Sequence, residues 1–142
     1  MMLLDVNILV EAHREDAPRH GEIRPWLESQ LESTPGIALS DLVLSGFVRV
    51  VTHPKIFIKP TPLADALGFV SDLRSRSSVS VIRPGTGQWK IFLELCRAAD
   101  ARGNFVPDAF HAALAMEYGL EWITLDRGFG RYPGLRWSCP FP

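Results

Sequence analysis

This 142-residue sequence has no long apolar run, few lysines and no excess of basic charge. No apolar segment approaches the roughly 20 residues that a membrane span needs, and no basic segment followed by an apolar one, as in a signal peptide, opens the chain. Only three of the fifteen basic residues are lysines, and sixteen acidic residues bring the net charge to −1. Overall charge therefore does not point to nucleic acid, and we expect a cytoplasmic protein without a membrane partner.

Cysteine is scarce as well, and the two cysteines, Cys96 and Cys139, form no CxxC pair. They fit the reduced thiols of a cytosolic protein better than a disulfide framework. The four histidines show no zinc-ligand spacing, and no glycine-rich phosphate-binding motif occurs. These absences argue against a zinc site and against the common phosphate-binding loops.

What the sequence does contain is an alternation of short apolar runs and helical segments. A chain of this length, with 46% hydrophobic residues, is expected to form one domain over residues 1–142. The alternation predicts an α/β fold with a mainly parallel sheet, with Trp26, Trp89, Trp122 and Cys96 in its core. The predicted strands are 2–4, 37–39, 79–82, 122–125 and a short edge strand at 135–137, and the predicted helices cover about 18–32, 42–51, 62–73, 89–102 and 107–118.

Acidic side chains follow three of the predicted strands. Asp5 ends the first strand, Asp41 follows the second and Asp126 the fourth, while Asp108 lies in the first turn of the last helix. Ligands of an open parallel sheet bind beyond the carboxyl ends of its strands, and clustered carboxylates suit a hard divalent cation such as Mg²⁺. Two carboxylates about 5 Å apart would repel by roughly 3 kcal/mol at an effective dielectric constant near 20, and a cation removes that cost.

Each acid also has a purely structural interpretation. Asp5 can cap the following helix, Asp108 can interact with the helix dipole, and Asp126 can form a turn. Three such acids at one edge of one sheet are less easily explained in this way. His111, three residues after Asp108, is interpreted as a packed residue rather than a ligand, because Mg²⁺ rarely recruits imidazole.

Four blocks of sequence carry a family resemblance: LDVNIL at 4–9, FVRVVTHP at 47–54, DAFHAALA at 108–115 and TLDRGF at 124–129. In order and spacing they resemble PIN-domain ribonucleases, and in particular the VapC-type toxins of bacterial type II toxin–antitoxin modules. The likeness runs from Leu3 to about Trp137, nearly the whole chain. It implies a PIN-like three-layer α/β/α sandwich with a mainly parallel sheet of four to five short strands.

The resemblance also implies a function. The toxins that the sequence resembles are endoribonucleases. The resemblance therefore implies an enzyme that uses Mg²⁺, with Mn²⁺ as a substitute, to cleave tRNA, rRNA or mRNA. It further implies a homodimer and neutralisation by a VapB-type antitoxin. The family's metal-binding and catalytic aspartates fall on Asp5, Asp108 and Asp126. The polar positions that support such a site are matched by Asn7, Ser40 and Asn104.

One position departs from the family pattern. A glutamate usually precedes the aromatic-x-Arg stretch of the helix after the second strand, and Gly46 stands there instead. Asp41 is the only acid in this helix, and five residues place it about 140° around the helix and about 7.5 Å along it from Gly46. Asp41 can support the site from the end of the second strand, or Ser40 or a water molecule can fill the gap. A second metal site and the catalytic rate depend on which of these holds.

The expected mechanism has Asp5 and Asp108 holding one Mg²⁺, while the aspartate after the fourth strand completes the acidic pocket. A metal-activated water would attack the phosphodiester and leave a 5′-phosphate and a 3′-hydroxyl, as in related metal nucleases. Arg127, Arg131 and Arg136 follow closely in the sequence. They either contact RNA phosphates or form a solvated charged turn.

Two other functions stay open at this point. A PIN fold that has lost catalysis with Gly46 would only bind an antitoxin or RNA. A phosphotransfer domain is the second alternative, but haloacid-dehalogenase-like phosphatases carry Asp-x-Asp after the first strand, where this chain has Asp5-Val6-Asn7. Receiver domains need an aspartate in mid-sheet, and here Arg83 follows the third predicted strand.

Overall fold

A five-stranded parallel sheet forms the centre of the molecule, which we describe from a computed structural model covering residues 1–142. The strands are β1 (Met2–Leu4), β2 (Ile37–Ser40), β3 (Val79–Ile82), β4 (Glu121–Ile123) and β5 (Trp137–Ser138). Their order in the sheet is β3-β2-β1-β4-β5. The first strand, β1, is central: Met2 pairs with Ile37 on one side and with Glu121 on the other.

Six helices flank this sheet and complete the three-layer α/β/α sandwich, so the predicted fold class is confirmed. The helices are α1 (Val6–His13), α2 (His20–Glu32), α3 (Asp41–Val51), α4 (Leu63–Ser75), α5 (Gln88–Ala99) and α6 (Phe105–Glu117). Helix α1 packs against α2 and α3, and α5 packs against α6. A short 3₁₀ turn, Arg127–Arg131, follows β4. None of them is long and apolar enough to cross a membrane.

The core lies between the sheet and the helices and is built from short apolar runs. Leu3 and Leu4 of β1 are buried on opposite faces of the central strand, as expected for a parallel sheet covered on both sides. Trp122 of β4 is fully buried. Helix α6 buries four alanines, which let it lie close to its neighbours: Ala109, Ala112, Ala113 and Ala115.

Several sequence expectations are corrected by the structure. Trp89 is not a core residue: its side chain is 59% exposed and leans on Phe92 with ring centroids 5.1 Å apart. Helix α5 ends at Ala99 instead of near residue 102, because Asp100 adopts a left-handed conformation with φ of 47°. Helix α6 begins at Phe105, two residues before Pro107, and proline is tolerated there because the first amides of a helix have no partner.

The loop between α3 and α4 is held against the end of α1 by one buried arginine. The guanidinium of Arg14 donates to the backbone oxygen of Lys59 at 2.7 Å and forms an ion pair with Asp16. It also lies 4.0 Å from the ring centre of Phe57, over its face. A buried guanidinium that satisfies several partners at once stabilises a loop more than a surface ion pair does.

Candidate acidic site at the carboxyl edge of the sheet

A cavity of about 510 Å³ opens at the carboxyl end of β1, between α1, α3, α6 and the turn after β4. Asp5, Asp108 and Asp126 all line it. The parallel sheet brings the first and last of these together, because β1 and β4 are neighbours and both end at this edge. Helix α6 then presents its first-turn aspartate to the same space.

Asp5 is almost fully buried and its two carboxylate oxygens have different partners. Oδ1 accepts a hydrogen bond from the amide of Val6 at 2.6 Å and so caps α1. Oδ2 accepts from the hydroxyl of Thr124 at 2.6 Å. Burial raises the pKa of Asp5 from 3.8 to about 6, against these hydrogen bonds, and the charges of Asp108 and Asp126 add to the rise. The capping role and a place in the cavity therefore coexist in this side chain.

Asn7 connects the segments that follow β1 and β4 through side-chain hydrogen bonds. Its amide nitrogen lies 3.2 Å from both Asp5 Oδ2 and Thr124 Oγ1, and donates to them. Its Oδ1 accepts from the amide of Leu125 at 3.1 Å. Thr124 Oγ1 also accepts from the amide of Asp126 at 3.0 Å. Through these contacts Asn7 and Thr124 hold Asp5 at a fixed place beside the cavity.

The other two aspartates are less enclosed. Asp108 is half-buried, and burial raises its pKa, with the charge of Asp126 adding to the rise and Arg131 opposing it. No protein donor bonds to the Asp108 carboxylate. Asp126 caps the 3₁₀ turn, where its Oδ1 accepts from the amide of Gly128 at 2.8 Å. Burial, with a smaller contribution from repulsion among these carboxylates, thus raises the pKa values of Asp5 and Asp108.

The remaining candidates from the sequence lie outside this cavity. Ser40 is buried and caps α3, accepting from the amide of Val43 at 3.1 Å. Asp41 is bound by two arginines, Arg74 at 2.6 Å and Arg83 at 3.2 Å, which hold the pKa of its carboxyl below the usual range. Asn104 is exposed just before α6 and makes no side-chain cap. Of the four predicted supporting residues, only Asn7 lines the acidic cavity.

Comparison with known proteins places this arrangement in a family. The model of the PIN domain family matches residues 2–135. VapC ribonuclease Mb2897 of Mycobacterium bovis is 41% identical over 140 residues, which cover 99% of this chain and 95% of that protein. The chain belongs to the PIN domain family, in its VapC group. Ribonuclease VapC25 of Mycobacterium tuberculosis is 37% identical, with 99% of both chains covered.

Solved structures of other PIN domains show the same fold at low sequence identity. The VapBC2 structure from Rickettsia felis, bound to a DNA fragment from its promoter, matches with a TM-score of 0.74 at 20% identity, covering 97% of both chains. VapC20 of Mycobacterium tuberculosis, described as a toxin that cleaves the sarcin-ricin loop, matches with a TM-score of 0.68 at 17% identity, covering 92% of this chain and 93% of that one.

Gly46 lies in the lining of the acidic cavity of this PIN domain. A Cβ atom at this position would come within 3.0 Å of Val6 Cγ2, so a larger residue requires Val6 to shift. The position at which the family resemblance leads us to expect a carboxylate therefore lies in the wall of the cavity that Asp5 also lines. Asp41 does not replace it, since its oxygens are taken by Arg74 and Arg83.

Arg49 and Glu11 line the cavity although neither is among the site residues expected from the sequence. Arg49 lies on α3 one turn after Gly46 and forms no ion pair, so its charge is available to an anionic ligand. The three arginines singled out earlier are not among the lining residues. Arg131 stacks over the Phe105 ring at 3.5 Å, and Arg136 donates to a backbone carbonyl. The sequence did contain a signal for Arg49. It lies three residues after Gly46, a helical spacing that places both positions on the same face of α3.

The carboxylates fit a hard divalent cation by their chemistry but are not drawn together as a finished ligand set. No group of three His, Cys, Asp or Glu side chains lies close enough to hold a metal ion. The available metal ligands are nevertheless carboxylate oxygens. At Asp5 and Asp108, burial and repulsion from neighbouring carboxylates oppose ionisation. A cation offsets both costs, and Mg²⁺ commonly binds through one or two carboxylates and several waters.

Proposed function

We propose that this PIN domain is the toxin of a type II toxin–antitoxin module and a metal-dependent endoribonuclease. The observation that carries the proposal is the cavity that Asp5, Asp108 and Asp126 share at the carboxyl edge of the sheet. The full-length similarity to VapC ribonucleases supports the same function. RNA is the proposed substrate, and Mg²⁺ the proposed metal, with Mn²⁺ as a substitute.

In this proposal Asp5 and Asp108 hold the cation, directly or through water, and Asp126 completes the acidic pocket. When bound, Mg²⁺ supplies positive charge for the scissile phosphate and lowers the pKa of a water molecule. Asn7 and Thr124 keep the Asp5 carboxylate oriented through the hydrogen bonds already described. Hydrolysis adds the water oxygen to phosphorus and breaks the bond to the 3′ oxygen, which leaves a 5′-phosphate and a 3′-hydroxyl.

Arg49 gives the cavity a cation next to its acids. An RNA backbone brings negative charge to a site that already carries three carboxylates, so a positive side chain at its wall lowers the electrostatic cost of binding. Arginine also matches phosphate oxygens with two parallel donors. The guanidinium of Arg49 would therefore hold the phosphodiester near the cavity and play no part in proton transfer.

A VapB-type antitoxin is the proposed partner that silences the enzyme in the cytoplasm. Structures that share this fold include toxin–antitoxin complexes such as VapBC2 of Rickettsia felis and the VapBC complex of Salmonella typhimurium, both bound to DNA. The antitoxin would cover the acidic cavity or its rim. We also propose that the chain acts as a homodimer.

A catalytically weakened binding module is the second candidate, and Gly46 is the observation that favours it. The usual glutamate is missing from the cavity wall, and Asp41 is held elsewhere by arginines. Such a protein would bind RNA or an antitoxin without cleaving the nucleic acid. Measurement of cleavage together with metal binding separates the two candidates.

The deciding experiment incubates the purified, antitoxin-free protein with total cellular RNA in Mg²⁺, Mn²⁺ or EDTA. We expect discrete cleavage that requires metal and falls on the order of a hundredfold or more in Asp5→Asn and Asp108→Asn. Asp72→Asn is the matched control, because Asp72 is an exposed aspartate on α4 whose carboxylate only pairs with Arg76. Absence of cleavage together with absence of Mn²⁺ binding by calorimetry would reject the nuclease and favour the binding module.

A further inference from the structure

A second cavity adjoins the acidic one, at the carboxyl ends of β2 and β3 beside α6. Its volume is about 370 Å³. Leu42 and His111 line both cavities, so the two spaces share a wall. This volume lies in the lower part of the range of about 300–1,000 Å³ that small-molecule pockets occupy. The second cavity therefore has room for one small planar group next to the acids.

The walls of the second cavity are mainly apolar and include an aromatic ring. Ile82, Pro84, Phe110 and Leu114 line it. The Phe110 ring packs against Phe92 in a T-shaped contact with centroids 5.7 Å apart, which fixes its orientation. Aromatic and apolar side chains of this kind stack on the faces of unstacked nucleobases in single-stranded RNA.

His111 adds a polar edge to this apolar space. Its ring stacks on buried Trp122, with centroids 5.2 Å apart and an interplanar angle of 19°, and it forms no hydrogen bond within the protein. Burial lowers its pKa to about 4, so the ring is neutral at neutral pH. A neutral imidazole offers one donor and one acceptor. That pair suits the mixed donor and acceptor edge of a base better than it suits an anion.

The rim of the second cavity is preformed and carries guanidinium donors. Asp41 bonds to both Arg74 and Arg83. The loop that follows Arg83 is fixed by Glu117, whose carboxylate accepts from two amides of residues 85–87 at 2.7 and 2.8 Å. The two arginines therefore balance the two carboxylates, and their guanidinium groups offer donors to the phosphate of a bound nucleotide.

We propose that the second cavity is a nucleobase subsite. It takes the base of the nucleotide adjacent to the phosphodiester that the acidic cavity receives, turned out of its stack between Phe110 and the apolar wall. Leu42 and His111 line both cavities, so a base bound here would lie next to the space that receives the scissile phosphate. The inference rests on the proposed ribonuclease function, and it assigns to that enzyme a preference for the base at one flanking position.

The first test measures base binding without metal or cleavage. Methyl-labelled protein in EDTA is titrated with the four nucleoside 5′-monophosphates and with ribose 5-phosphate, which has the sugar and phosphate but no base. We expect saturable shifts at the methyl groups of Ile82 and Leu114 with at least one monophosphate and not with ribose 5-phosphate. Equal shifts with ribose 5-phosphate would overturn the subsite. Shifts that follow protein concentration alone would assign the cavity to a second copy of the chain and overturn it too.

Variants then connect the binding to the cavity. Ile82→Trp fills the space and should weaken the preferred monophosphate about tenfold or more. Leu67→Trp is the matched control, because Leu67 is an exposed leucine on α4 that lines neither cavity. Phe110→Leu keeps most of the volume but removes the aromatic face, so it covers the case in which the tryptophan variant folds poorly. Unchanged binding in folded Phe110→Leu and Ile82→Trp would refute the assignment.

Mapping of cleaved ends in total RNA separates the subsite from the enzyme activity itself. The wild type and Leu67→Trp should share a base bias at one position beside the cut, and Ile82→Trp should lose that bias and show a raised KM with a smaller change in kcat. Cleavage by Ile82→Trp with an unaltered bias rejects the subsite and leaves the nuclease standing. If the wild type and all variants bind the base but none of them cleaves RNA, the nuclease function is rejected. The proposed role of the second cavity in cleavage is then rejected with it.

Discussion

Replacement of Asp5 by asparagine should stabilise the metal-free protein at neutral pH. Asp5 is 8% exposed, and burial, together with the charges of Asp108 and Asp126, raises its pKa from 3.8 to about 6. The folded state therefore binds the proton of this carboxyl more tightly than the unfolded state does. The wild type has its full stability below about pH 4 and loses part of it as the pH rises through about 6. The asparagine variant does not ionise and avoids that loss.

The size of the effect follows from the difference between the folded and unfolded pKa values. That difference is about two pH units, and each unit corresponds to about 1.4 kcal/mol. The wild type should therefore lose about 3 kcal/mol of unfolding free energy, relative to Asp5→Asn, between about pH 4 and pH 7. The asparagine amide cannot accept from both Val6 and Thr124, which costs about 1–2 kcal/mol at every pH. That cost shifts the variant's curve without changing its slope.

Urea unfolding in EDTA at several pH values between about 4 and 7.5 measures the difference directly. The exposed-site variant Asp72→Asn should follow the wild-type curve. Addition of Mg²⁺ near neutral pH should raise the stability of the wild type more than that of Asp5→Asn, because only the wild type has the ionised carboxylate. A stability difference between wild type and Asp5→Asn that stays constant across the pH range would refute this account of the buried acid.

Three further substitutions test other parts of the structure. Ser40→Ala removes the side-chain cap of α3 and should cost about 1 kcal/mol in urea unfolding, while Ser40→Thr, which keeps the hydroxyl, retains most of the stability. Arg14→Met should cost about 2–3 kcal/mol and speed tryptic cleavage at Lys55, and an unchanged cleavage rate would argue against the anchoring of the loop between α3 and α4. The change in unfolding free energy caused by Gly46→Ala should be more favourable by about 1 kcal/mol in a Val6→Ala background than in the wild type. The shortened side chain at position 6 relieves the 3.0 Å approach between the new Cβ and Val6 Cγ2. Additive effects in this double-mutant cycle would contradict the crowding.

The sheet and its acidic edge could be predicted because both follow from local patterns. Short apolar runs ending in a polar residue mark buried parallel strands, and carboxyl ends of such strands meet at one edge. The same pattern predicts that Asp5 and Asp126, which follow neighbouring strands, lie close together, and both line the acidic cavity. Ser40 caps α3 for a similar local reason, because a serine directly before an apolar helix can accept from an early amide of that helix.

Contacts between distant parts of the chain could not be predicted in this way. Asp41 belongs to the end of β2 by sequence, but Arg74 and Arg83, more than thirty residues away, turn it from the acidic cavity. Trp89 fits an apolar helical stripe, but it lies on the exposed side of the first turn of α5, whereas its neighbour Gln88 is buried. Both outcomes depend on neighbours that the local pattern does not contain.

The parts of the acidic centre lie far apart along the chain, so synthesis produces them at different times. Asp5 is translated 119 positions before Thr124, which holds its carboxylate. Domains form from the amino terminus as the ribosome advances, but β1 lacks its β4 neighbour until Ile123 has emerged. A chain whose translation has not passed this strand therefore carries no assembled acidic centre. Fragments that end before Thr124 lack the centre, and a complete site arises only after that residue has been made.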